Sequence, residues 1–215
     1  MKIWDLPVRL FHWTLVVGIG FMWFSAETGG LWMDWHMRVG VFLLALVLFR
    51  IIWGFIGSDT ARFSQFVRSP FQALGHLKEL GGRAPAWHVG HNPLGAWMVV
   101  ALLLTVLVQA VTGLFATDDI MVEGPLYALV SDAFSGRMTS LHKQVFNLLL
   151  LLVVLHVAAV LFYRFYKRTN LVRAMVTGTA EGVQGEAPTL RSGWLGLGVF
   201  LACYGVVWGT LAWLG

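Results

Sequence analysis

Five long apolar segments separated by polar loops form the main pattern along this chain of 215 residues. A helix needs about 20 residues to cross the roughly 30 Å hydrocarbon layer of a bilayer, with a lower limit of about 17. The segments reach these lengths, so the pattern predicts an all-α integral membrane protein. We place the five spans at Leu6–Phe24, Trp35–Ile56, Pro93–Phe115, Thr139–Phe165 and Trp194–Leu214.

Polar segments of different character join these spans. In the loop after the second span, residues 70–80 predict a short amphipathic helix at the membrane surface. The same loop holds His76 and His88, which we expect to be ordinary solvated side chains. Residues 116–138 are acidic, whereas residues 177–192 are rich in Gly, Thr and Pro and predict a flexible linker.

Composition excludes several classes of protein. The chain is 58% hydrophobic and 12% charged, whereas soluble domains carry about 25% charged residues. Cys203 is the only cysteine, which excludes an internal disulfide and a Cys-rich metal cluster, and the absence of C-x-x-C-H argues against covalently attached haem. No small-residue cleavage site follows the first apolar run, so we expect that run to remain as a span.

The basic residues predict the orientation. Twelve of the 15 Lys and Arg residues fall on the side that holds the N-terminus and the loops 57–92 and 164–192. The opposite side has Arg38, Arg137 and Lys143 with six acidic residues, a net charge of −3. By the positive-inside rule the N-terminus is cytoplasmic and the C-terminus periplasmic. The basic pI near 9.6 then reflects membrane orientation, and we expect no nucleic-acid binding.

Four histidines pair by depth across the predicted spans. His142 and His156 are 14 residues apart on the fourth span. Four helical turns take about 14.4 residues, so both project from one face, roughly 21 Å apart. The orientation puts His36 at the outer level of His142, and His12 at the inner level of His156.

Two imidazoles at each level indicate haem. Imidazole binds iron, copper and zinc, but protein zinc sites use three or four converging ligands. A porphyrin supplies four nitrogens itself, so the pattern predicts two non-covalent b haems. His12 and His156 would bind the inner iron, and His36 and His142 the outer iron. The alternative is a set of hydrogen-bonded histidines acting as a proton relay.

Basic residues at the depths of the two histidine pairs are candidates for binding the haem propionates. Arg50 follows His36 by 14 residues, so it shares that helix face at the inner level. A buried arginine needs an anionic partner, and Arg9 is close enough in sequence to His12 to assist. Arg38 and Lys143 lie beside the outer ligands. Snorkelling of Arg9, Arg38 and Lys143 to the interface is the alternative.

Several motifs carry a family resemblance across essentially the whole chain. They are WDLPVRLFHW (4–13), WHMRVG (35–40), FRIIWGFIGSDTARF (49–63), GHNPLGAW (90–97), LHKQVFN (141–147) and LHVAAVLFY (155–163). The chain resembles bacterial cytochrome b561 and the cytochrome b subunit of nickel-iron hydrogenase, and its fourth span is similar to that of the membrane subunit of respiratory formate dehydrogenase. The resemblance implies a four-helix bundle with two b haems, whose ligands on the first, second and fourth spans match His12, His36, His142 and His156.

The resemblance also implies how the chain is divided into domains and where the protein is located. We expect a four-helix di-haem domain at residues 1–176, a cytoplasmic linker at 177–192, and a fifth transmembrane helix at 193–215 that packs outside the bundle. The implied location is the bacterial inner membrane. A homodimer is left open.

The leading hypothesis is electron transfer between the quinone pool and a periplasmic partner. That partner would be a c-type cytochrome or an oxidoreductase subunit, attracted to the acidic outer face; the quinone would be ubiquinone or menaquinone. A second hypothesis is a superoxide:quinone oxidoreductase, in which Arg137 and Lys143 attract the anion, although the net negative face argues against strong steering. The third is a transporter without haem.

His91 and Asn92 are the candidate quinone residues, since the relatives bind quinone near the inner haem. The alternative is that Asn92 caps a helix that begins at Pro93, with His91 in a polar interface contact.

Overall fold

The computed structural model describes residues 1–76, 81–82, 89–118, 122–183 and 185–214. Lys78, Arg83, His88 and Asp119 lie outside these residues, as do positions 77–80 of the predicted surface helix. In the described chain the α-helices are α1 Leu6–Thr28, α2 Trp32–Ile56, α3 Phe63–Phe66, α4 Pro70–His76, α5 Pro93–Gly113, α6 Asp132–Phe165, α7 Leu171–Thr177 and α8 Gly193–Leu214. Short 3₁₀ helices are present at Asp59–Ala61 and Tyr127–Leu129.

Five of these helices, α1, α2, α5, α6 and α8, are long and apolar enough to cross a membrane. The prediction of an all-α, multi-pass membrane protein is therefore confirmed. Over the described ranges, β pairing is limited to two isolated bridges, Lys2 with Thr179 and Thr117 with Glu123. The surface helix predicted at 70–80 is present as α4, which covers residues 70–76.

Local caps explain where several helices begin and end. At the start of α1, the Asp5 carboxylate accepts the Val8 backbone N–H at 2.7 Å, which satisfies one of the free donors of the first turn. Gly29 and Gly30 follow α1 with φ of 64° and 56°, a conformation that costs glycine little. They turn the chain from α1 into α2.

The chain forms two compact units. The first comprises residues 1–10, 50–102 and 151–197, and the second comprises residues 11–49, 103–150 and 198 onward. The first unit has at its core the fully buried Trp53, whose indole donates to the Asp5 carboxylate at 2.9 Å. This bond satisfies the polar edge of a ring that is otherwise surrounded by apolar side chains.

The second unit is organised around α2 and α8. Leu44, Ala45 and Val207 are buried together, and Phe42 packs edge to face on Phe200 with ring centroids 5.7 Å apart. Interlocking apolar side chains of this kind hold membrane helices together through van der Waals contact, because lipid supplies no hydrophobic drive between helices.

The N-terminus and the segment after α7 are joined within the first unit. The Met1 ammonium donates to the Ala180 carbonyl at 2.9 Å, and the Ile3 N–H donates to the Gly178 carbonyl at 2.8 Å. Further along, the Arg191 N–H donates to the Ser58 hydroxyl at 2.9 Å. Residues 177–192, which the composition predicts as a linker, therefore have hydrogen-bonded anchor points.

Candidate functional site

The imidazoles of His36 on α2 and His142 on α6 face each other in the second unit. Their ring centroids are 6.4 Å apart and their planes are inclined by 68°. Two imidazoles that share one metal ion, each at about 2 Å from it, have ring centres about 6 Å apart. The observed spacing is therefore compatible with a shared metal.

The Nδ1 atom of His36 is bound on the side of α1. It lies 3.0 Å from the Ser25 hydroxyl, whose own proton is donated to the Met22 carbonyl at 3.1 Å. The hydroxyl oxygen is therefore the acceptor, and Nδ1 carries the proton. The unprotonated nitrogen of His36 is then Nε2, the form that can bind a metal.

The Nδ1 atom of His142 is bound in the same way by α5. It donates to the Gln109 carbonyl at 2.9 Å and lies 3.2 Å from the Thr112 hydroxyl. Nε2 of His142 is again the unprotonated nitrogen. Both rings are therefore held in the tautomer in which a metal ligand uses Nε2.

Gly113, the last residue of α5, has no side chain and so leaves space for the His142 ring. A Cβ built on Gly113 would lie 3.0 Å from Cε1 and 3.3 Å from Nδ1 of His142. Any other residue would therefore press on the imidazole. The sequence identified the two histidines but not their partners Ser25, Gln109 and Thr112. The signal that could have indicated two of these partners is a hydroxyl side chain within an apolar helix, Ser25 on α1 and Thr112 on α5.

The donor set at this site fits a haem. Among the described residues, no group of three His, Cys, Asp or Glu side chains could hold a metal ion, so the protein offers two imidazoles and no third ligand of this type. A haem iron needs only two axial ligands from the protein, because the porphyrin supplies the other four. Imidazole is also one of the common axial ligands.

The other two candidate ligands, His12 on α1 and His156 on α6, are half-buried. The His12 ring packs edge to face on Trp13, with centroids 4.9 Å apart. His12 belongs to the second unit and His156 to the first. Their pairing around an inner iron stays a prediction.

Arg50 on α2 lies in a buried cluster of the first unit. Its side chain is 2% exposed, donates to the Ala61 carbonyl at 3.2 Å and stacks over the Phe63 ring at 5.3 Å. Asp5, which is 3% exposed, is close enough to act on Arg50 through its charge. Asp5 thus provides a compensating negative charge within the same unit, and the role of Arg50 toward a propionate stays a prediction.

Arg9 on α1 reaches the C-terminal end of α7. Its Nε donates to the Met175 carbonyl at 3.4 Å, and its guanidinium also donates to the Val176 carbonyl. The last carbonyls of a helix have no partner within the helix and carry a partial negative charge, so a cation is stabilising there. Its role toward a propionate likewise stays a prediction.

Arg38 and Lys143, the candidates for the outer propionates, are both exposed. Arg38 stacks over the Trp35 ring, with its guanidinium carbon 5.5 Å from the centroid. Lys143 follows directly after His142. Both cations are therefore accessible beside the facing imidazoles.

The candidate quinone residue His91 lies between two buried aromatic rings. Its centroid is 4.8 Å from that of Trp4 and 4.6 Å from that of Phe66. The imidazole is thus held in an aromatic slot of the first unit, half-exposed to its surroundings.

Asn92 has two identifiable partners. Its side-chain oxygen accepts the Gly95 N–H at 2.7 Å, which makes it the cap of α5 ahead of Pro93, as the alternative interpretation predicts. Its amide nitrogen donates to the Tyr163 hydroxyl at 2.6 Å. Tyr163, buried on α6, is a polar member of this cluster that we did not identify from the sequence.

Comparison with known proteins gives one family match. The model of the family described as prokaryotic cytochrome b561 matches residues 3–178 of the chain. The matched range contains α1, α2, α5 and α6 with all four candidate ligands, and it ends at the residue after α7. Searches among curated proteins and among solved structures gave no match.

Proposed function

The chain belongs to the prokaryotic cytochrome b561 family, and on this premise we propose that it carries electrons across the membrane between the quinone pool and a periplasmic redox partner. Membership makes it a membrane-bound, haem b-containing electron-transfer protein. The proposal adds two haems, with an inner iron bound by His12 and His156 and an outer iron bound by His36 and His142.

The facing imidazoles of His36 and His142 carry this proposal. Their centroids are 6.4 Å apart, and each Nδ1 is engaged on the side of a neighbouring helix. When bound, a haem supplies an iron that accepts and releases one electron at a time. The protein's part is to hold the two imidazole rings at that spacing, each with its Nδ1 engaged, and to surround the site with apolar helices.

The second pair extends the path to the other side of the membrane. His156 is 14 residues beyond His142 on the continuous helix α6, roughly 21 Å further along. One haem is too small to carry an electron across the whole hydrocarbon layer. We therefore infer a second haem at the depth of His12 and His156, which would pass the electron on.

The cluster at the start of α5 is the proposed quinone site. His91 and the Tyr163 hydroxyl are groups that can exchange protons, and quinone reduction consumes protons as well as electrons. Trp4 and Phe66 provide the flat apolar walls that a quinone ring would contact. We expect His91→Gln to raise the KM for quinol several-fold while leaving haem reduction by dithionite unchanged. An unchanged KM would remove His91 from the quinone site.

The proposed orientation puts the acidic face of the protein in the periplasm. A basic patch on a c-type cytochrome or on an oxidoreductase subunit would be attracted there. The exposed Arg137 and Lys143 favour superoxide as a second candidate donor. Rates of haem reduction by superoxide and by a reduced c-type cytochrome, measured on the same preparation, distinguish the two functions.

A haem count with histidine variants tests the central proposal. We expect about two b haems per chain in the reduced-minus-oxidised spectrum, loss of mainly the outer one in His142→Ala, and loss of mainly the inner one in His156→Ala. Gln144→Ala, at an exposed position two residues after His142, is the control and should keep both. Retention of both haems in either histidine variant would contradict the pairing.

A further inference from the structure

The two facing histidines, His36 and His142, are positioned by similar hydrogen-bonding groups on two different helices. Nδ1 of His36 lies 3.0 Å from the hydroxyl of Ser25 on α1, and that hydroxyl is bonded to the Met22 carbonyl. His142 is met by the carbonyl of Gln109 and the hydroxyl of Thr112 on α5. In each case the hydroxyl follows the carbonyl by three residues, so both lie on one helix face.

Each hydroxyl also donates its proton to a carbonyl of its own helix. Ser25 Oγ donates to the Met22 carbonyl at 3.1 Å, and Thr112 Oγ1 has two carbonyl acceptors, Val108 at 2.8 Å and Gln109 at 3.0 Å. Since the hydroxyl proton is used in this way, the hydroxyl oxygen is left as an acceptor for the imidazole N–H. Ser25 is fully buried and Thr112 is 4% exposed, so water does not compete for these bonds.

We propose that Ser25 and Thr112 are the positioning residues of the outer haem ligands. Each hydroxyl, with its paired carbonyl, fixes the Nδ1–H tautomer and the plane of one imidazole. A hydrogen-bond acceptor at the far nitrogen raises the basicity of a histidine ligand. A more basic axial ligand stabilises the oxidised iron, so the two hydroxyls together lower the reduction potential of the outer haem. This inference rests on the proposed function, in the part that gives His36 and His142 one iron.

The test compares variants that remove one hydroxyl each. Ser25→Ala and Thr112→Val leave the carbonyl acceptor in place, so each should favour the reduced outer haem by roughly threefold to tenfold, where tenfold corresponds to about 59 mV for one electron. The double variant should shift further in the same direction. The low-spin electron paramagnetic resonance signal of the outer haem should also move, because it depends on the angle between the two imidazole planes.

Thr28→Val is the matched control. Thr28 is on α1, one turn beyond Ser25, and its hydroxyl donates to the Phe24 carbonyl at 2.8 Å, a bond of the same kind that does not involve a histidine ligand. The control should leave both haem potentials unchanged. The haem that survives in His142→Ala identifies the inner potential in the titration.

Distinct results would overturn this inference or the function beneath it. An unchanged outer potential and resonance signal in both single variants, with two haems bound, would refute the positioning role and leave the histidine pairing intact. An equal shift of both haems would refute it as well. If Ser25→Ala does not fold, Ser25→Cys decides, because a thiol fills the space but accepts hydrogen bonds poorly. Absence of a haem that depends on His142 would refute the proposed pairing itself.

Discussion

Gly113 allows the imidazole of His142 to lie directly against the end of α5. With a Cβ only 3.0 Å from the ring carbon Cε1, Gly113→Ala should push the ring away from its position opposite His36. Misplacement of an axial ligand weakens metal affinity by about tenfold or more. We therefore expect Gly113→Ala to lose outer haem preferentially: a pyridine haemochrome assay should count fewer haems per chain, and a redox titration should show that the remaining haem has the inner potential.

The matched control for this substitution is Gly20→Ala. A Cβ on Gly20 in α1 would meet nothing within 4 Å, so both haems should be kept. Both substitutions replace a helical glycine by alanine, and general effects on helix propensity are therefore common to the two. Equal haem loss in the two variants would show that contact with His142 is not the cause.

The buried side chain of Arg50 gives a second prediction for a single residue. Arg50 and Asp5 are both buried and interact through their charges, and a buried charge that loses its compensating charge is strongly destabilising. Arg50→Leu should therefore lower the unfolding temperature strongly, and adding Asp5→Asn should recover part of the loss. Thermal unfolding in detergent measures both, with Arg164→Leu, at an exposed position of α6, as the control.

The same pair of substitutions separates two roles for Arg50. If the guanidinium acts mainly on a propionate of the inner haem, Asp5→Asn will not relieve the loss, and the inner haem potential will shift more than the outer one in Arg50→Leu. Strict additivity of the two substitutions would contradict coupling between Asp5 and Arg50.

The histidines could be predicted from the sequence, but their Nδ1 partners could not. A spacing of 14 residues and the charge of the loops suffice to place His36 at the depth of His142, because both follow from helix geometry and orientation. The rotation of α1 and α5 about their axes decides which carbonyl and which hydroxyl contact each imidazole ring. This rotation cannot be derived from a single sequence.

At the scale of elements, apolar length identified the five long helices but misplaced some of their ends. Helix α6 begins at Asp132, seven residues before the predicted start at Thr139. The Ser131 hydroxyl accepts the Phe134 N–H at 3.4 Å, and Asp132 in the first turn interacts favourably with the helix dipole. Hydropathy marks where a helix enters the hydrocarbon, whereas caps decide where the helix starts.

The segment after α7 yields a prediction that depends on pH. The Thr189 N–H donates to the Asp59 carboxylate at 2.7 Å, and this bond, with help from Arg62, holds the pKa of Asp59 below its ordinary value. A lowered carboxyl pKa stabilises the folded state at pH values above the ordinary pKa of about 3.9, and the contribution is lost as the pH falls through the lowered pKa.

We therefore expect Asp59→Asn to speed hydrogen exchange at the Thr189 amide by no more than about fivefold, since a hydrogen bond or ion pair between exposed groups contributes about 1 kcal/mol or less. Peptides covering residues 185–192 report this by mass spectrometry near neutral pH. Glu186→Gln, which changes an exposed carboxylate of the same segment, should have no effect. Equal exchange in the wild type and Asp59→Asn would show that the carboxylate does not anchor the segment.

At the scale of the whole molecule, the family match and the charge distribution complement each other. The match ends at residue 178, so α8 is not covered by it, and the position of the C-terminus must be inferred from other features. An odd number of spans puts the two termini on opposite sides of the membrane. The excess of Lys and Arg on one side then predicts a cytoplasmic N-terminus, because cytoplasmic loops carry an excess of positive charge.

Reporter fusions test this orientation directly. Alkaline phosphatase needs disulfides that form only outside the cytoplasm, so a fusion after Leu214 should be active and a fusion after Thr177, before α8, should be inactive. A green fluorescent protein at the same two positions should give the reverse pattern. Activity after Thr177 would place the basic loops outside and exchange the inner and outer haem assignments, since the depth of each histidine is read from the same loops. The quinone site at His91 and the docking face near Lys143 would then also change sides.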